Sequence, residues 1–216
     1  MSIIAYYVHV DDAQLQALRE QPALVWDIRS DPRFASAVLF DIDKDYDVLA
    51  WLVSAKKRKE QAQQVASYRA IDRERESGSD YDKAEFSRVL NEELQKLGVP
   101  PEDTNAIPTD PALEAIEGRG TESQRDPKIN FGLGSARHFR PDEVRKLSEA
   151  VDGVTEADLR KSFNRAEMAK FDVGGMGWLE EEDSVLDEFL IPAFRKLQAF
   201  YRQAANSGHH VLVIYQ

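Results

Sequence analysis

Asp41, Asp43, Asp45 and Asp47 stand at alternate positions in a D-x-D-x-D-x-D series, and hard oxygen ligands so spaced suit calcium or magnesium. An EF-hand loop counted from Asp41 needs glycine where Tyr46 stands and glutamate where Leu52 stands. The series reads better as an acidic first turn set against the positive end of a helix dipole. His9, His138, His209 and His210 are ligands for zinc or iron if neighbouring strands bring them together. They lack the H-E-x-x-H and H-x-E spacings, so hydrogen-bonded strand histidines are the simpler reading.

Other candidates are incomplete in the same way. Phe131-Gly132-Leu133-Gly134-Ser135-Ala136-Arg137 places a glycine pair after an expected strand. It lacks the third glycine of the dinucleotide fingerprint, the Gly-Lys-Ser/Thr of a P-loop and the G-x-S-x-G elbow that would activate Ser135. A tight turn into the helix at Pro141 accounts for it. Trp178, between glycines at 174–177 and the acidic run Glu180, Glu181, Glu182 and Asp183, fits a ligand lid, a partner anchor or a core residue. The acidic run fits a contact surface or a helix start. No catalytic residue, metal ligand or cofactor is assigned.

These groups need elements to position them. Residues 3–10 are β-branched and aromatic and predict a strand, with Asp11 and Asp12 at the cap of a helix that reaches Glu20. Pro22 restarts the chain as a short helical turn. Residues 38–40 predict a brief extended segment leading into a buried helix around Val48, Leu49, Trp51 and Leu52. The polar stretch 56–97 predicts two solvated helices joined near 77–80, and 98–126, with Pro100, Pro101, Pro108 and Pro111, predicts a long loop. A short strand follows at 129–134. Pro141 begins a helix, Thr155 caps another with Asp158 three residues on, and the run at 180–183 opens a long helix kinked at Pro192. That helix carries Leu186, Phe189, Leu190, Phe194, Leu197 and Tyr201 as one apolar face and ends at Gly208, before a last strand at 210–215 beside the first.

The chain has 216 residues with 28 lysines and arginines against 39 aspartates and glutamates, a formal net charge of -11. Such a surface repels phosphate backbones and favours basic partners. Cysteine is absent, which excludes disulfides and thiol chemistry. No signal-peptide pattern opens the sequence and no apolar run nears the roughly 20 residues of a membrane span, so the expectation is a cytoplasmic protein without nucleic-acid or membrane partners.

Ile3-Ile4-Ala5-Tyr6-Tyr7, then Phe40-Asp41-Ile42-Asp43-Lys44 with Asp47 and Trp51, then the segment 131–137, then Phe200-Tyr201-Arg202 with 211–215, together resemble the YfbM-like bacterial family, a domain of unknown function. The resemblance implies a bacterial cytoplasmic α+β fold, a central sheet flanked by helices, and no catalytic residues. The expected architecture is one domain, 1–216, holding a mixed sheet of about four short strands, with a charged helical and loop insertion at about 56–126. The expected function is a non-catalytic protein-binding module, such as a toxin-neutralising immunity protein whose acidic surface masks a basic toxin or effector. The alternative is a small-ligand-binding protein or hydrolase-like enzyme with Asp41, Asp43, Trp51, Arg137, His138 and Trp178 around one pocket.

Overall fold

The first and last strands, β1 (Ala5–Val10) and β5 (His210–Tyr215), pair antiparallel, with Ala5 opposite Tyr215 and Val10 opposite His210. The computed structural model describes residues 4–42, 45–77, 82–99, 109–118, 125–131 and 134–215. Among these the sheet has five strands: β2 (Val38–Asp41), β3 (Arg125–Phe131) and β4 (Gly134–Phe139) join β1 and β5 in the order β2-β1-β5-β4-β3. Every pairing is antiparallel. The expected mixed sheet of four strands is thereby corrected. The strand not foreseen is β4, whose glycine-led sequence reads as a turn but takes its order from pairing with β5.

Two compact units form, one from residues 1–53, 110–163 and 182–216, the other from 54–109 and 164–181. In the first, α1 (Asp12–Glu20) is capped by Asp11, which accepts from Gln14 N while the Gln14 side chain returns to Asp11 N. Leu15 and Leu18 of α1, Val25, Ile28 and Phe34 cover one face of the sheet, against Val8, Val10, Leu212 and Ile214. Period-two alternation sends Tyr7, His9, Val211 and Val213 to the other face, all buried. Here lie α2 (Asp45–Val53), apolar enough to be buried nearly all round, and α5 (Pro111–Glu117). They are joined by α6 (Pro141–Asp152), α7 (Glu156–Ser162) and α9 (Ile191–Ser207), the last stacking Phe200 on Phe40.

In the second unit α3 (Ala55–Ser77) and α4 (Lys83–Leu97) pack together, and buried alanines 62, 66 and 70 give α3 a stripe of small residues at helical spacing. Buried Glu93 ties the pair, accepting from Lys96 at 2.6 Å and Arg73 at 2.8 Å, which in that order hold its carboxyl below the usual range. The short α8 (Arg165–Lys170) is fastened by Lys170 Nζ donating to the Leu97 carbonyl.

Helix α5 occupies what reads as loop. Its prolines mislead, because Pro111 stands at the first helical position, where a missing N–H is harmless, behind Asp110 as cap. A helix end leaves four carbonyls without intrahelical donors, and here all four are met. Gly118 N donates to Glu114 O, and the hydroxyls of Tyr201, Tyr7 and Tyr215 donate to Ala115, Ile116 and Glu117 in turn. Gly118 has φ +55, and a Cβ there would lie 2.6 Å from Val213 Cβ.

Gly118→Ala should therefore combine left-handed strain, about 1–2 kcal/mol, with overpacking of about 1–3 kcal/mol. Gly208→Ala, at φ +66 with nothing within 4 Å, should show the strain alone. Urea unfolding of the two variants measures the difference; equal losses would refute the close approach at Val213.

Candidate functional site

Arg137 and His138 are neighbours on β4 and so point to opposite faces of the sheet. That separates two residues the sequence reading placed in one pocket. His138 Nε2 lies 2.9 Å from His210 Nδ1, and His210 Nε2 lies 2.8 Å from Asp12 Oδ1. When both rings are neutral, a carboxylate at one end fixes the direction: His138 donates to His210, which donates to Asp12. Nearby, buried Asp126 is ion-paired to Arg19 at 2.6 Å. On the other face His9 Nδ1 and His209 Nδ1 approach to 2.9 Å, with Phe200 against the His9 ring. Burial, and secondly the partner histidine, lowers both His9 and His138 from 6.5 to about 4. Rings held neutral this way are structural hydrogen-bonding groups and weak bases near neutral pH. Among the described residues no three histidine, aspartate or glutamate side chains converge as a metal site.

The Arg137 face is built from tyrosine. The guanidinium carbon stands 5.2 Å from the centre of the Tyr215 ring, Tyr46 meets that ring edge-on at 5.4 Å, and buried Glu117 lies at the end of α5. Burial raises the hydroxyls of Tyr7 and Tyr201 well above the ordinary tyrosine value. Trp51 is buried in α2. Of the aspartate series, Asp41 ends β2 within 3.8 Å of Arg29, Asp45 and Asp47 lie in the first turn of α2 as the dipole reading expects, and Asp43 lies outside the described residues. Gly132 and Leu133 also lie outside them.

Trp178 is in the interior of the second unit, its Nε1 donating to Val173 O at 2.6 Å. It has no surface to offer as a lid or anchor. Glu180 is exposed and Glu181 half-buried in that unit, the Glu181 carbonyl accepting from Arg165. In the same unit α4 fronts a cavity of about 420 Å³ lined by Arg88, Asn91, Glu92, Leu94, Gln95 and Val99, where Arg88 is already spent on Glu85 and Glu92.

Glu182 and Asp183 are exposed in the first unit, ahead of the helix rather than in its first turn, since helical residues begin at 184. A π-helical turn, Leu186–Leu190, then precedes α9 in place of a simple kink at Pro192. The wider turn shifts the helical phase. It takes Phe189 off the expected apolar face and leaves it 59% exposed, beside exposed Asp187 and Glu188. Regular spacing could not reveal this residue. Asp12, Tyr7, Tyr201 and Tyr215 were missed because their partners are distant in the chain.

A family model described as Domain of unknown function (DUF1877) matches residues 1–101 and 102–214. A protein of unknown function from Escherichia coli, YfbM, has a crystal structure similar to this chain at a TM-score of 0.51 and 14% identity, with 98% of each chain covered. At that identity the likeness speaks for the fold. No curated protein matches the chain, and among the described residues no helix is long and apolar enough to cross a membrane.

The histidine pairs carry a pH signature. The folded values of His9 and His138, near 4, lie below the ordinary 6.5, so the unfolded chain binds more protons between the two. This stabilisation is whole above pH 6.5 and is lost as pH falls towards 4. Thermal unfolding from pH 6.5 to 5 should show a falling midpoint, with a shallower slope in His138→Gln; an identical slope in that variant would contradict the assignment.

Proposed function

We propose that this chain, which belongs to the DUF1877 family of domains of unknown function, is a non-catalytic protein-binding module that takes a basic protein partner on an acidic surface. The observation that carries the reading is Phe189, an exposed aromatic on a π-helical turn with Glu182, Asp183, Asp187 and Glu188 close in sequence and exposed. A solvent-facing aromatic within a charged rim is the composition of a binding hot spot: the ring supplies apolar area, the charges supply steering and choice of partner. The net charge of -11 extends the same preference over longer range. Arg160 from α7 grips Asp187, so the rim is anchored on a second helix.

A partner so chosen is a lysine- or arginine-rich protein surface, which suits the masking of a basic toxin or effector by an immunity protein. Nucleic acid is disfavoured by the same charge. The histidine pairs support a non-catalytic reading, since both are committed to hydrogen bonds with each other and, for His210, with Asp12.

Affinity capture of a basic protein from native lysate, with the recovered partner then titrated against variants, tests this. Phe189→Ala should weaken binding by about thirtyfold, the equivalent of about 2 kcal/mol. Reversal of Glu182 and Glu188 to lysine should slow association and remove most of its salt dependence. Binding unchanged in both variants, or equally tight at low and high salt, would overturn the proposal.

A further inference from the structure

Arg137 departs from the pattern of several other arginines of the chain. Arg19, Arg73, Arg160 and Arg202 each sit within hydrogen-bond reach of a carboxylate, as expected in a chain with 39 acidic residues. Arg137 is half-buried and, among the described residues, has none within 4 Å. Its Nε is buried without a partner, and Nη1 reaches only the Ser135 carbonyl at 3.3 Å. A buried guanidinium N–H left unpaired is costly. The unused edge is the one between Nε and Nη2, the fork that grips an oxyanion with two parallel hydrogen bonds.

The sheet reinforces this site. Arg125 stands directly opposite Arg137 in the β3–β4 register, so the cross-strand position offers Arg137 no carboxylate. On the other flank Tyr215 and Tyr46 form an aromatic wall, Tyr215 under the guanidinium and Tyr46 edge-on to the Tyr215 ring. The charge to be accepted is small. Asp45 and Asp47 flank Tyr46 in the first turn of α2, and they penalise a dianion more than a monoanion.

We propose that Arg137 is the anchor of a small-ligand site for a monocarboxylate with a planar apolar body, the carboxylate on the Nε–Nη2 edge and the body against Tyr46 and Tyr215. This site lies in the first unit and does not depend on a protein partner at Phe189.

Benzoate is the probe, titrated calorimetrically into the full chain, with acetate and inorganic phosphate as further arms. Benzoate should bind at millimolar or lower concentration, tighter than acetate, and phosphate more weakly than either. Arg137→Lys keeps the charge over Tyr215 but not the fork, and should lose at least about tenfold in benzoate affinity; Arg137→Gln should abolish binding. Retained circular dichroism in the lysine variant separates ligand loss from misfolding. No benzoate binding to the native chain, equal affinity in Arg137→Lys, or phosphate as the preferred ion would each overturn the proposal.

Discussion

The end of one seven-residue helix, α5, holds the first unit together. Its last carbonyls accept from a tyrosine of the first strand, one of the last strand and one of the last helix, while Gly118 lets the backbone meet Val213 directly. Inside a protein each such carbonyl would be expensive to leave unmet. The tyrosines thus do two tasks: the rings of Tyr7 and Tyr201 fill the core beneath the sheet, and all three hydroxyls terminate the helix. Neither the central strand pair nor α9 can shift against α5 without breaking one of these bonds.

The same packing divides the chemistry. Because β4 alternates, His138 joins the face covered by α1, and Arg137 joins the face of the tyrosines. The histidines become hydrogen-bonded pairs. Arg137 is left over an aromatic ring without a carboxylate, while exposed acidic side chains gather around the π-helical turn ahead of α9. Hydrogen-bonded histidines, an arginine without a carboxylate and an exposed acidic surface therefore occupy separate places in one fold.

Local rules made much of this legible. Asp11 with Gln14, Thr155 with Asp158, Pro141 at a first helical position and Gly208 beyond a last one are all decided by residues within one turn of each other. The pairing of first and last strands followed from two β-branched runs. What escaped was non-local or irregular. The donors to Ala115 and Ile116 are 86 and 109 residues away, β4 depends on its neighbour rather than its composition, and the π-helical turn breaks the spacing rule that would place Phe189 inside. The separation of Arg137 from His138 was readable in principle: once 134–139 is taken as a strand, adjacent residues must face opposite ways.

The central claim is that the tyrosine hydroxyls, and not merely their rings, secure α5. Urea unfolding of Tyr7→Phe, Tyr201→Phe and the double variant tests it, because phenylalanine keeps the ring and removes only the donor. Each single change should lower stability by about 1–3 kcal/mol, the cost of a buried carbonyl left unpaired. Phenylalanine variants as stable as the native chain would show that packing alone holds the helix, and the account would be wrong.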